Sequence, residues 1–72
     1  MRTLSREQIG KKIKTLRTRQ GLTQRELANR AGLAYPTICW YEQGKHMPDL
    51  IPLHNICIVL GVDYAEILGP VD

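Results

Sequence analysis

Residues 24–41 read QRELANRAGLAYPTICWY, and the fold turns on this stretch. It spells two short helices joined by a tight turn. Thr23 lies just before it and Glu26 three residues further on, the capping-box pattern that starts a helix. Leu27, Ala28 and Ala31 then fall at helical spacing on one face. Gly32 follows at once, where a chain leaving a helix most needs a positive φ. Leu33 is apolar and plugs the corner. A second helix begins near Tyr35 and buries Ile38 and Tyr41. Two helices that cross steeply through so short a turn come very close together. Ala28 is small enough to permit that approach, and Leu27, Leu33, Ile38 and Tyr41 fill the wedge between them.

Outward from this pair, the chain reads as helices throughout, at about 6–20, 24–31, 35–43, 50–60 and 64–68. Ser5 and Gln8 make a capping box for the first helix, and Glu7 suits the positive end of its dipole. Ile9, Ile13 and Leu16 form its apolar stripe, with Leu4 placed to staple the start. Gly10 costs about 1 kcal/mol relative to Ala in mid-helix, and close contact with another helix is the expected reason. Gly21 stops this helix, and Leu22 is assigned to the core. Gly44 ends the third helix, and Pro48 prevents its continuation. Asp49 is the expected N-cap of the fourth, with Pro52 tolerable in its first turn. Leu50, Leu53, Ile56, Cys57 and Leu60 make the inner face of that helix, and Gly61 closes it. Asp63 caps a short fifth helix, which Gly69-Pro70 terminates. No strand-like alternation, internal repeat or low-complexity tract interrupts this pattern. The expected fold is all-α, a single five-helix domain over residues 1–72.

Composition narrows the function. A chain of 72 residues builds a small core whose net stability is on the order of a few kcal/mol. No apolar run approaches the ~20 residues that cross a bilayer, and the first twelve residues, MRTLSREQIGKK, hold no apolar signal block. A soluble, cytoplasmic protein is expected. Cys39 and Cys57 each fall inside a helix, with no paired Cys and no His at ligand spacing, so they read as reduced thiols rather than a disulfide or metal site. The net charge is only +3, but it is unevenly placed. Residues 1–45 carry all ten Lys and Arg and three acids, and residues 46–72 carry four acids and no Lys or Arg. Such an asymmetry suits a protein that lays one side on phosphates.

The helix pair, in this frame from about Ile9 to Leu68, resembles the helix-turn-helix of the phage repressor and Cro family of DNA-binding proteins. The resemblance implies a compact repressor-like domain whose third helix enters the major groove while the second crosses the backbone. It implies backbone contacts from Thr23, Gln24 and Lys45, which would set register without reading sequence. It implies base reading by Tyr35, Pro36, Thr37 and Trp40. Those positions in the family usually carry Gln, Arg, Ser, Asn or Lys, and this chain departs from that pattern with no Arg or Gln. Thr37 can reach a base edge or thymine methyl, Tyr35 a phosphate or base, and Pro36 and Trp40 can pack on thymine methyls. Several family members pair an Arg of the first helix with a Glu at the end of the third, here Arg17 and Glu42. Ala34 replaces the usual polar N-cap of the third helix, at a cost of about 1 kcal/mol.

Ile51 and Ile58 lie seven apart on the outer side of the fourth helix, where the family commonly has charge. This stripe suggests a partner surface, and with Tyr64 and Ile67 it is the expected surface of a homodimer. The leading expectation is a sequence-specific DNA-binding transcriptional regulator acting as a dimer, without cofactor or metal. The alternative is a protein-interaction module or antitoxin on the same fold, using the face of Tyr35, Pro36 and Trp40 on a protein partner. His46 and His54 have no Ser, Cys or acid at a spacing that makes a catalytic set, so no enzyme is expected.

Overall fold

A computed structural model describes residues 4–69. Five helices follow in order: α1 (Arg6–Arg19), α2 (Gln24–Ala31), α3 (Tyr35–Glu42), α4 (Leu50–Leu60) and α5 (Tyr64–Leu68). α3 packs against both α1 and α2. α4 packs against α2, and α5 packs against α1 and α4. The core between them is Ile13, Leu27, Ile38, Ile56 and Ile67, all fully enclosed, surrounded by Ile9, Leu53, Leu60 and the smaller Ala28 and Ala31. Half-buried Leu4, Leu16 and Leu33 pack against this cluster.

Local interactions set the helix ends. Ser5 Oγ accepts the Gln8 N–H at 3.1 Å, and Gln8 Oε1 accepts the Ser5 N–H at 2.8 Å. Thr23 and Glu26 repeat the exchange at 3.0 and 2.8 Å. That bond holds the Glu26 carboxyl below its ordinary pKa, because the Thr23 N–H favours the charged form. At the end of α2, Gly32 adopts φ 69°, a left-handed conformation that costs a side-chain-bearing residue about 1 kcal/mol or more. The Leu33 N–H then reaches back to the Ala28 carbonyl at 2.8 Å and turns the chain toward α3. α1 and α3 each end one residue before their expected limits, with Gln20 and Gln43 as C-caps.

Two expectations are corrected, and a third, Asp49 as the N-cap of α4, holds for the backbone alone. Leu50 is 71% exposed rather than on the inner face of α4. It occupies the first helical position, and side chains lean toward a helix's N-terminus, which carries Leu50 past the end of the core. Ile67, expected on a dimer surface, is fully buried. α5 turns it inward, since Ile67 is the apolar residue by which so short a helix grips the core. Asp49 has the extended backbone of an N-cap, but its side chain makes no capping bond. Pro52 stands at the third helical position, the usual donor to a cap, and proline has no N–H to give. Side-chain bonds elsewhere tie α4 in place: Asn55 Nδ2 donates to the Ala31 carbonyl at 3.2 Å, and Gln20 Nε2 to the Leu60 carbonyl.

Candidate nucleic-acid interface

α3 is apolar almost all round, YPTICWYE, so its two sides differ in packing rather than in polarity. Inward, Ile38 and Tyr41 are buried. The core raises the Tyr41 phenol above its ordinary pKa, as burial disfavours the charged form. α1 lies against the backbone of α3. A Cβ built on Gly10 would collide with the Tyr41 carbonyl oxygen and lie 3.0 Å from that of Glu42. Gly10 is therefore the residue that lets the two helices touch.

A second clamp stands about two turns further along α1. Arg17 Nε donates to Glu42 Oε2 at 2.6 Å and Nη2 to Oε1 at 2.9 Å, a two-pronged fit of planar groups. Nη1 donates to the Leu22 carbonyl at 2.7 Å. The side chains are 9% and 2% exposed, so the pair is nearly dry. The bond to Glu42 raises the Arg17 pKa and keeps the guanidinium charged. Gln24 Nε2 adds a fourth bond, to Glu42 Oε1 at 3.0 Å, while Gln24 Oε1 accepts from Cys39 Sγ at 3.4 Å. The first residue of α2 is thus joined to the last of α3.

Outward, Trp40 is 43% and Tyr35 36% exposed; Pro36 is exposed and Thr37 half-buried. Trp40 meets the His46 ring edge-on, with centroids 5.2 Å apart. Trp40, Thr37, Met47 and Asp49 border an open hollow of about 220 Å³. The Arg25 guanidinium lies 4.1 Å over the centre of the Tyr35 ring. Cys39 chiefly holds the Tyr35 phenol above its ordinary pKa. Two aromatic side chains on adjacent turns therefore stand out from a helix whose other side is clamped.

The expected backbone contacts differ in their freedom. Thr23 Oγ1 accepts the Glu26 N–H, which leaves its own hydroxyl hydrogen to donate. Gln24 is half-buried, and one of its two amide hydrogens is taken by Glu42, leaving one. Lys45 is exposed, beyond the turn that closes α3. On α4, Ile51 and Ile58 are 72% and 64% exposed. Tyr64 is half-buried, its hydroxyl 3.1 Å from His54 Nδ1.

The family described as helix-turn-helix domain matches residues 8–68, nearly all of the chain. This chain belongs to the helix-turn-helix family of DNA-binding regulators. Among its relatives is the HTH-type transcriptional regulator y4dJ of Sinorhizobium fredii, 33% identical over 93% of this chain and 87% of that protein. Another, an HTH-type transcriptional regulator of Methanothermobacter thermautotrophicus, is 42% identical over 92% and 84%. In three dimensions, the restriction-modification controller protein C.AhdI of Aeromonas hydrophila superposes with a TM-score of 0.83 at 26% identity, over 86% of this chain and 94% of that one. In helix-turn-helix terms α2 and α3 are the paired helices. The family is one of transcriptional regulators and not an enzyme class. No helix among the described residues is long and apolar enough to cross a membrane.

One residue of this face lies outside the expected site: Arg25, which stands on α2 rather than α3. A signal was available: a cation in a helix's first turn opposes the dipole, so its place there calls for another partner, and Tyr35 is that partner.

Proposed function

We propose that this regulator reads duplex DNA with the N-terminal part of α3 in the major groove, as a twofold dimer. One observation carries the reading: Tyr35 and Trp40 stand exposed on α3, whose opposite side is held by Gly10 and by the Arg17–Glu42 pair. A side chain reads base edges only if its helix is rigidly placed, and this helix has little freedom to tilt. Tyr35, Pro36, Thr37 and Trp40 would contact bases, the aromatic and methyl groups favouring thymine methyls. Thr23, Gln24 and Lys45 would bind phosphates and set register. Gln24 would act with its one spare hydrogen, its other amide contact bracing α3 from within.

A single domain of this size makes few contacts, so two copies would read half-sites about 34 Å apart. The exposed Ile51 and Ile58 of α4, with Tyr64 beside them, are the proposed dimer surface. Selection from a random duplex pool tests the whole reading. Palindromic sites with that spacing are expected, with affinity that falls steeply as salt rises. Absence of binding even at low salt would refute it.

A second reading is favoured by the apolar character of α3, which carries no charge before Glu42. On that reading the Tyr35, Pro36 and Trp40 face docks a protein, as an antitoxin or interaction module. Trp40→Ala separates the two: loss of DNA binding supports the groove, and loss of a protein contact alone supports the module.

A further inference from the structure

The outward residues of α3 lack any side chain able to make paired hydrogen bonds to a guanine, the commonest specific contact in the major groove. A guanidinium nevertheless stands at this face. Arg25 belongs to α2, yet its planar group lies 4.1 Å over the ring of Tyr35, the first residue of α3. The ion pairs among the described residues are Arg6–Glu7 and Arg17–Glu42, so no carboxylate of those residues holds Arg25. Stacking fixes the plane of the guanidinium and leaves the fork of N–H groups at its rim free to donate. Arg25 also forgoes the favourable end of its own helix dipole to stand there.

We propose that Arg25 is a specificity-determining residue that reads a guanine at the edge of each half-site, positioned by the Tyr35 ring. The proposal rests on the major-groove reading above. In that docking the N-terminal residues of α3 meet base edges, and a group stacked on Tyr35 shares their position. The start of α2, with Thr23 and Gln24, serves the phosphates. Arg25 thereby supplies from the neighbouring helix the paired donor that α3 lacks. Tyr35 in turn loses freedom under the guanidinium, so the two side chains act as one preformed unit.

The test is site selection from a random duplex pool with the full chain and with Arg25→Lys, Arg25→Ala, Tyr35→Phe and Tyr35→Leu, followed by anisotropy titrations at two salt concentrations. Both residues are exposed, and circular dichroism checks that each variant folds. The wild-type site should contain one preferred G·C pair per half-site, discriminated by roughly 5- to 150-fold. Arg25→Lys keeps the charge but loses the planar fork and should weaken this preference; Arg25→Ala should abolish it, with the loss of affinity concentrated on the G·C-containing site. Tyr35→Phe keeps the ring and the preference; Tyr35→Leu weakens it. If Arg25→Ala instead weakens binding to all sequences alike and makes the salt slope shallower by about one, Arg25 is a phosphate contact and the proposal falls. Unchanged selection by both Arg25 variants overturns it equally while leaving the groove reading intact. A wild-type chain that selects no site defeats both.

Discussion

Arg17→Ala should cost this domain much of its stability. The guanidinium makes two bonds to Glu42 and one to the Leu22 carbonyl, and both charged side chains are nearly excluded from water. Removing Arg17 strands the Glu42 carboxylate, 2% exposed, with only the Gln24 amide left to satisfy it. Breaking a buried pair from one side costs about 3–5 kcal/mol. A 72-residue domain has a total of roughly 4–11 kcal/mol, so the variant should lie near its unfolding threshold. Urea unfolding followed by circular dichroism is the assay. With a slope of ~1 kcal/mol per molar, the midpoint should fall by roughly 3–5 M. Replacing both partners, Arg17→Met with Glu42→Leu, strands no charge and should cost less than Arg17→Ala alone. The gap between the double variant and the summed single variants measures the coupling. A loss under about 1 kcal/mol for Arg17→Ala would refute the account of a dry, interdependent pair, as would simple additivity in the cycle.

Three further outcomes are expected. Gly10→Ala should destabilise by about 1–3 kcal/mol despite alanine's better helix propensity, and should also weaken DNA binding, because α3 must shift away from α1; equilibrium unfolding and anisotropy check the two effects. Ile58→Lys, at a site 64% exposed, should leave the monomer's unfolding unchanged while shifting sedimentation toward the monomer and removing binding to the full palindrome. Glu26 has its folded pKa lowered by the Thr23 N–H, so its contribution is present above the unfolded pKa and is lost as pH falls through the folded one; acid titrations of Glu26→Gln should accordingly show a shallower loss of stability below pH 4.5 than the wild type.

The clamp and the reading face were not equally open to inspection of the chain. Arg17 and Glu42 suggested themselves through family likeness, although 25 residues separate them. Tyr35 is legible in the same way, but its pairing with Arg25 is not: the unfavourable place of Arg25 on its helix dipole calls for a partner without saying that the partner is a ring of α3. Gln24 was expected to face a phosphate, and its inward bonds to Glu42 and Cys39 depend on how closely α2 and α3 approach.

Sequence alone settled where the helices are, because their ends rest on contacts three to five residues apart: Ser5 with Gln8, Thr23 with Glu26, Leu33 with Ala28. It also named the apolar stripes that form the core. Which turn of a helix lies over that core, and which hangs beyond it, was decided by packing in three dimensions. That is why Leu50 and Ile67 exchanged places between surface and interior. Helical periodicity specifies the direction in which a side chain points, but burial depends also on how far the neighbouring element extends, a distance that only the assembled helices define.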